Sequence, residues 1–193
     1  MIKTDSLISK KLTFINRSNL VFNHNLIKKR VGKSQILSVV KGDAYGHGLK
    51  ECVNTLHQNG SKDFYVARLE DALLIRRQIR EARIYLLSGV ITSKCCKQII
   101  SNKLIPIINN SDQLNIINNF PRTIKYILHF DTGMNRLGFN LDKIDEFENQ
   151  IQIKNVIFLM SHLTSSDDKD LKQSKYQLDQ IKKINKIFKK PLS

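Results

Sequence analysis

Short apolar runs alternate along the chain with longer amphipathic stretches. Short apolar runs bounded by turn residues predict buried strands, whereas apolar positions three or four residues apart predict one face of a helix. The predicted strands are residues 12–15, 36–40, 64–67, 84–87, 104–108, 123–130 and 156–160. The predicted helices run from a cap at Asn16 or Ser18 to a stop at Gly32, and over residues 49–58, 69–80, 92–101, 111–118 (capped by Ser111), 142–150 and 171–189. This alternation is typical of a parallel α/β sheet, and it does not distinguish a doubly wound sheet from a barrel.

The most informative stretch is residues 36–48, which read Ile-Leu-Ser-Val-Val-Lys-Gly-Asp-Ala-Tyr-Gly-His-Gly. Lys41 follows a buried strand directly, at the position where α/β folds place their ligands. Partial burial there would favour the neutral amine, which can form a Schiff base with an aldehyde. The glycines let backbone N–H groups approach an anion, and Tyr45 offers a hydroxyl. The alternative is a solvated lysine followed by an ordinary glycine-rich turn.

Two later strands also end in polar residues. The strand that ends near residue 130 is followed by Asp131 and Arg136, and an arginine fork suits a carboxylate or a phenolate. The last predicted strand is followed by His162. The alternatives are a surface arginine in a turn and a histidine with a structural role.

Composition sets the broad class. The chain has 193 residues, 41% hydrophobic and 25% charged, which is ordinary for a globular protein with one domain. The net charge of +15 raises the question of nucleic acid. Because lysine is scattered among isoleucine and asparagine without a dense basic block before the last helix, a codon bias explains the charge at least as well.

Cysteines and apolar segments indicate the compartment. The three cysteines do not suggest a disulfide framework, and the five histidines are too dispersed for a zinc site. The N-terminus, Met-Ile-Lys-Thr-Asp-Ser, has no apolar core of a signal peptide, and no apolar run is long enough to span a bilayer. These features predict a cytoplasmic protein that binds no metal, membrane or nucleic acid.

The amino-acid sequences of two of these segments resemble those of the alanine racemase family, whose members use pyridoxal 5′-phosphate (PLP). The first is Val-Val-Lys-Gly-Asp-Ala-Tyr-Gly-His-Gly, and the second, at residues 131–139, is Asp-Thr-Gly-Met-Asn-Arg-Leu-Gly-Phe. The resemblance implies that Lys41 carries PLP as a Schiff base and that Tyr45 contacts the phosphate. Arg136 would lie near the phenolic oxygen of PLP and the substrate carboxylate, and His162 would lie on or beside the pyridine ring.

Two positions depart from the family pattern. Gly42 stands where members usually have alanine or asparagine. His129 stands where many members have a lysine modified to a carbamate, which orients the arginine. A carbamate cannot form on histidine, so Arg136 must be held in another way.

The resemblance also implies a fold, a (β/α)8 barrel of the TIM type. Only about six barrel strands are predicted from residue 36 onward, where closure needs eight. Residues 1–193 are therefore expected to form a truncated N-terminal PLP-binding barrel domain, with no further strand near the end and without the family's C-terminal β domain.

Family members interconvert L- and D-alanine, which supplies D-alanine for the cell wall. The lysine serves one face of the substrate, and a tyrosine from the C-terminal domain of a partner subunit serves the other, so the family is expected to be homodimeric. This chain alone is then expected to be inactive. Two alternatives remain: a small single-domain PLP carrier or regulator, and a basic nucleic-acid-binding module. The nucleic-acid-binding module predicts an affinity that falls steeply with salt.

Overall fold

A parallel sheet, curled into part of a barrel, forms the centre of the molecule. The computed structural model describes residues 14–193. Within them, six strands lie side by side in chain order, all parallel. They are β1 (Ser38–Val39), β2 (Asp63–Val66), β3 (Arg83–Leu86), β4 (Leu104–Ile108), β5 (Tyr126–Asp131) and β7 (Val156–Met160). A two-residue strand, β6 (Phe139–Asn140), pairs with the end of β5. The predicted incomplete barrel of about six strands is confirmed.

Helices follow most of the strands. They are α1 (Arg17–Val31), α2 (Lys41–Tyr45), α3 (Leu49–Gln58), α4 (Leu69–Gln78), α5 (Ser93–Ser101), α6 (Ser111–Asn118), α7 (Ile144–Phe147) and α8 (Lys172–Phe188). Asn16 caps α1 through its side chain, as one of the two predicted caps. Among residues 14–193, every helix is too short or too polar to span a lipid bilayer.

Several local predictions were wrong. The predicted helix at 142–150 is broken into α7 and flanking 3₁₀ turns at 141–143 and 148–150. Asn110, not Ser111, caps α6, because its side chain accepts a hydrogen bond from the Gln113 backbone N–H at 2.9 Å. Of the predicted first strand, residues 12 and 13 lie outside the described residues, and Phe14 and Ile15 are not in a strand.

The last residues of the chain lie against β7. Leu192 forms a parallel bridge with Leu159 of β7. The Leu159 N–H donates to the Pro191 carbonyl at 2.9 Å, and the Ser193 N–H donates to the Leu159 carbonyl at 2.9 Å. As predicted, no further strand follows β7 among the described residues; residues 191–193 form only an isolated bridge beside it.

Alternate residues of the strands build two separate apolar layers. Phe64, Ile84 and Leu86 are among the residues that pack between the sheet and the helices. The inner surface of the curled sheet carries a smaller cluster: Tyr65, Tyr85, Ile107, Ile127 and Met160. Because both faces are covered, the strands are apolar almost throughout, as parallel sheets require.

An ion pair joins the first residues of β2 and β3. Arg83 donates to both carboxylate oxygens of Asp63, at 2.5 and 2.6 Å, and the Tyr85 hydroxyl donates to Oδ1 of Asp63 at 2.8 Å. Asp63 is only 3% exposed, so these donors compensate for the water that its carboxylate loses on folding. These contacts hold β2 and β3 together at their N-terminal ends.

Candidate functional site

A cavity of about 600 Å³ opens at the C-terminal ends of the strands. Parallel α/β folds bind their ligands at this end of the sheet, because the loops after the strands converge there. The polar residues in its wall include Lys41, Tyr45, Asn109, His129, Arg136 and His162. The four residues that the sequence indicated as a site, Lys41, Tyr45, Arg136 and His162, thus line one cavity.

Lys41 comes directly after β1 and the buried residue Val40. Its side chain is half-buried, with Nζ 5.9 Å from the centroid of the Tyr45 ring. Among residues 14–193, no hydrogen bond or ion pair engages Nζ. The amine is therefore available for a ligand in the cavity.

The turn α2, which carries Lys41 and Tyr45, is left-handed. Gly42, Asp43 and Ala44 have φ between 53° and 60°, and Tyr45 has φ 55°. For L-residues this conformation costs about 1–2 kcal/mol each, so neighbouring contacts must stabilise it. The Asp43 carboxylate accepts a hydrogen bond from the first N–H of α3 at 2.6 Å, and Ala44 is buried. The sequence predicted a glycine-rich turn here but not its hand, since Asp43, Ala44 and Tyr45 are not glycines.

The loop that carries Arg136 is anchored to β5 by Asp131. One carboxylate oxygen of Asp131 accepts hydrogen bonds from the backbone N–H groups of residues 133, 134 and 135, at 2.9, 2.8 and 3.1 Å. Burial alone would raise the pKa of Asp131, but these backbone donors outweigh it and lower the pKa.

Gly138 brings the loop back against β5. It has φ +115°, and a Cβ there would lie 2.6 Å from the Asp131 backbone nitrogen, so only glycine fits. The arginine itself is exposed, and among the described residues it has no hydrogen-bond or ion-pair partner.

His129 lies on the inner surface of β5, only 6% exposed. Its Nδ1 donates to Oδ1 of Asn109 at 2.8 Å. Burial lowers the pKa of His129 to about 4, reinforced by the charges of His162 and Arg136 and opposed by Asp131. The ring is therefore neutral at neutral pH.

Asn109 is held in turn by its own neighbours. Its Nδ2 donates to the carbonyls of Leu87 and Ile107 at 3.1 and 3.0 Å, and its backbone N–H donates to Oε1 of Gln113 at 2.9 Å. Gln113 Nε2 donates to the Ser88 carbonyl at 2.8 Å. The sequence analysis missed Asn109 and Gln113. The available signal was the asparagine that continues the inward register of Ile105 and Ile107.

His162 follows β7 and is partly exposed, lining the same cavity as Arg136 and Lys41. Burial, followed by the charges of Arg136 and Lys41, lowers the pKa of His162. Deeper in the cavity, the Tyr65 hydroxyl is buried without a hydrogen-bond partner among the described residues. Burial raises the pKa of Tyr65, so its hydroxyl stays a neutral donor. The cavity thus combines a free amine, a guanidinium and an unpaired hydroxyl, which suits an anionic ligand with an aldehyde.

Residues 14–193 contain no group of three or more metal-binding side chains that could hold an ion. The arrangement is instead one of isolated donors around an apolar pocket.

Comparisons with known proteins identify the family of this fold and site. The family model for the N-terminal domain of alanine racemase matches residues 15–192. The biosynthetic alanine racemase of Agrobacterium fabrum is 32% identical over 179 residues, which is 88% of this chain and 44% of that protein. The chain spans about half the length of the curated relatives it matches.

Solved structures give the same result for the fold. Biosynthetic alanine racemase from Pseudomonas aeruginosa superposes with a TM-score of 0.78 at 28% identity, covering 86% of this chain and 48% of that one. Alanine racemase from Bartonella henselae, with covalently bound pyridoxal phosphate, has a TM-score of 0.81 at 24% identity, covering 93% of this chain and 54% of that one. The chain accordingly belongs to the alanine racemase family, of which it carries the N-terminal domain.

Proposed function

We propose that the cavity binds PLP through Lys41 and that the chain, as one domain over residues 1–193, is the PLP-binding part of a cytoplasmic alanine racemase that supplies D-alanine for the cell wall. The observation that carries this proposal is the convergence of Lys41, Tyr45, Arg136 and His162 on one cavity. The covalently bound pyridoxal phosphate of the Bartonella henselae enzyme supports the choice of cofactor.

The residues present fit this cofactor. A volume of about 600 Å³ lies within the range of small-molecule sites. Leu37, Val39 and Leu87 give the cavity apolar walls for an aromatic ring. The amine of Lys41 suits an aldehyde, and the donors of α2 and Tyr45 suit a phosphate. The unpaired Tyr65 hydroxyl offers one more donor.

Each of these residues then has a role in the reaction. When bound, PLP supplies an electron sink for the electrons left at Cα of alanine. Arg136 would bind the phenolic oxygen of the cofactor or the alanine carboxylate, and His162 would flank the ring. Nζ of Lys41 would hold the cofactor through its aldehyde and would move the Cα proton on one face of the substrate.

Racemisation needs a second proton donor on the opposite face, because one base reaches only one side of a planar carbon. The resemblance to the alanine racemase family implies that this donor is a tyrosine of a partner subunit. We propose that the complete protein is a homodimer that supplies this group, and that the 193-residue chain alone does not racemise alanine at a useful rate.

Reductive trapping tests the role of Lys41. PLP followed by borohydride should label Lys41 in the folded chain, because among residues 14–193 it is the one lysine that lines the cavity. Peptide mapping by mass spectrometry measures the site of labelling. The matched control is the variant Lys50→Arg, which replaces an exposed lysine. This variant should still be labelled at Lys41. Label spread evenly over surface lysines, or unchanged in Lys41→Arg, would contradict the proposal.

Exchange in deuterated water tests the one-base prediction. Incubated with protein and PLP, D-alanine should gain α-deuterium slowly and keep its configuration, because Lys41 can return a proton only to the face it reaches. Loss of a positioned acid or base typically costs about 10²–10⁴-fold in rate. Chiral chromatography with mass spectrometry follows both quantities. Steady interconversion of the enantiomers, abolished by Lys41→Ala, would show that a residue of this chain acts as the second base.

A further inference from the structure

Gln177 is a buried residue of α8, 0% exposed, whose side-chain amide is fully hydrogen-bonded. Its Nε2 donates to the His162 carbonyl at 2.9 Å and to the Thr132 hydroxyl oxygen at 3.3 Å. Its Oε1 accepts hydrogen bonds from the N–H and the hydroxyl of Thr164, at 2.9 and 3.0 Å. A side-chain amide offers two donor hydrogens and two acceptor lone pairs, so all four are in use.

These bonds join the loops that follow two neighbouring strands. Thr132 directly follows β5 and begins the loop that carries Arg136, whereas Ser161 and His162 follow β7. The hydroxyls of Thr132 and Ser161 also share a hydrogen bond at 2.6 Å. Because Arg136, Ser161 and His162 all line the cavity, Gln177 and Thr132 hold together two loops that form part of its wall.

The backbone places the side chain of His162. Among residues 14–193, no hydrogen bond or ion pair engages the His162 ring. The residues between β7 and α8 lie outside any regular helix or strand. The position of the ring in the cavity therefore depends on how the backbone of residues 161–164 is held. Gln177 bonds the His162 carbonyl and the Thr164 N–H, which lie on either side of Leu163.

A glutamine at this position is informative because its buried neighbours on the helix are apolar. Gln177, Ile181, Ile184 and Phe188 share the buried face of α8, at the spacing that packs a helix on a core. An apolar side chain at position 177 would take these partners away from the loop, which is costly. A carboxylate would have no hydrogen for the His162 carbonyl. The amide serves both groups and adds no charge near the cavity.

We propose that Gln177 is a positioning residue: its amide holds the backbone of residues 162–164 against the start of the Arg136 loop, and so fixes the His162 ring beside the ligand in the cavity. This deepens the proposed function, and it rests on that function only for the identity of the ligand.

NMR titration of His162 in the ligand-free chain tests the positioning. The charged and titratable groups that face His162 are Lys41, His129 and Arg136. Burial and the charges of Arg136 and Lys41 hold the pKa of His162 below its ordinary value of 6.5. Gln177→Leu should bring the pKa back toward that value, because the released loop lets the ring move away from these charges.

Two further variants complete the titration. Thr164→Val removes only one bond to Gln177, from an exposed side chain, and should raise the pKa of His162 by a smaller amount. Gln180→Leu is the matched control on the same helix, since Gln180 makes no hydrogen bond among the described residues, and should leave the pKa unchanged. Circular dichroism checks that each variant is folded. A pKa of His162 that is unchanged in folded Gln177→Leu, or in Thr164→Val if the first variant does not fold, would overturn the proposal.

Binding of pyridoxine 5′-phosphate tests whether Gln177 acts through His162. This probe has the ring and the phosphate of PLP but no aldehyde, so its binding needs no bond to Lys41. In calorimetric titration, His162→Leu and Gln177→Leu should each weaken binding up to about tenfold, the size of one contact beside an aromatic ring. The double variant should bind about as weakly as His162→Leu alone, because both changes remove the same contact. Losses that multiply in the double variant would overturn the proposal.

These outcomes separate the two proposals. If borohydride labels Lys41 but Gln177→Leu changes neither the pKa of His162 nor the binding of the probe, only the role of Gln177 fails. If Gln177→Leu raises the pKa but Lys41 is not labelled and the probe does not bind, only the choice of PLP fails.

Discussion

Two neighbouring tyrosines on the inner surface, Tyr65 and Tyr85, use their hydroxyl groups differently. Their ring centroids are 5.0 Å apart, and both side chains are buried. The Tyr85 hydroxyl donates to Asp63, whereas the Tyr65 hydroxyl has no partner among the described residues and lines the cavity. The first hydroxyl stabilises the fold, and the second is available for a ligand at a cost in stability.

This contrast gives a matched pair of substitutions. Tyr65→Phe should raise the free energy of unfolding of the ligand-free chain by about 1 kcal/mol, because an unpaired buried hydroxyl is removed. Tyr85→Phe should lower it by about 1–2 kcal/mol, because a hydrogen bond to a carboxylate is lost. Urea unfolding measures both. A destabilised Tyr65→Phe would mean that the Tyr65 hydroxyl has a partner in solution.

At the scale of elements, the pairing of β2 with β3 depends on the ion pair between Asp63 and Arg83. Burial alone would raise the pKa of Asp63, but hydrogen bonds from Arg83 and Tyr85 outweigh it, so the pKa lies below its ordinary value of 3.8. A carboxyl group whose pKa is lowered on folding stabilises the folded state above its unfolded pKa. That contribution is lost as the pH falls through the lower folded pKa.

Asp63→Asn should therefore destabilise the chain in a pH-dependent way. At neutral pH we expect a loss of about 1–3 kcal/mol, moderated because the Arg83 side chain is 50% exposed and water can solvate it. The difference from the unchanged chain should stay constant down to about pH 4 and shrink below it. Urea unfolding across pH measures this, with the exposed residue in Asp167→Asn as a control. A difference that grows on acidification would contradict the assignment.

At the scale of the molecule, the sheet has two unlike edges. Among the described residues, β1 pairs only with β2, and its Val39 is 45% exposed. The edge at β7 is partly covered by residues 191–193. Uncovered edges and apolar surface favour association with other chains.

The isolated 193-residue chain should therefore bind an apolar dye or self-associate at micromolar concentration. Helix α1 adds to this surface, because Phe22 is 66% exposed and Ile27 50% exposed. Dye fluorescence and sedimentation velocity measure the two effects, and Phe22→Ser with Ile27→Ser should reduce both. A monodisperse monomer without dye binding would show that these surfaces are covered in solution.

The sequence predicted the residues that line the cavity better than it predicted the hydrogen bonds and backbone pairing around them. Lys41, Arg136 and His162 could be predicted to converge because each follows a buried parallel strand, and strand ends share one edge of the sheet. The bond between His129 and Asn109 could not be predicted, since it links a residue of β5 to a residue 20 positions earlier that directly follows the neighbouring strand β4. The pairing of residues 191–193 was missed because three residues that include a proline carry no strand pattern.

The hand of α2 has a consequence for chemical synthesis. Gly42, at φ 60°, adopts the conformation that mirror-image amino acids prefer, and no atom lies within 4 Å of the Cβ that an L-residue would add there. L-alanine at this position is therefore opposed by the backbone rather than by crowding, at about 1–2 kcal/mol. D-alanine carries no such backbone penalty. Two semisynthetic chains that carry L-alanine or D-alanine at position 42 would differ in free energy of unfolding. That difference measures the cost of the left-handed backbone next to Lys41.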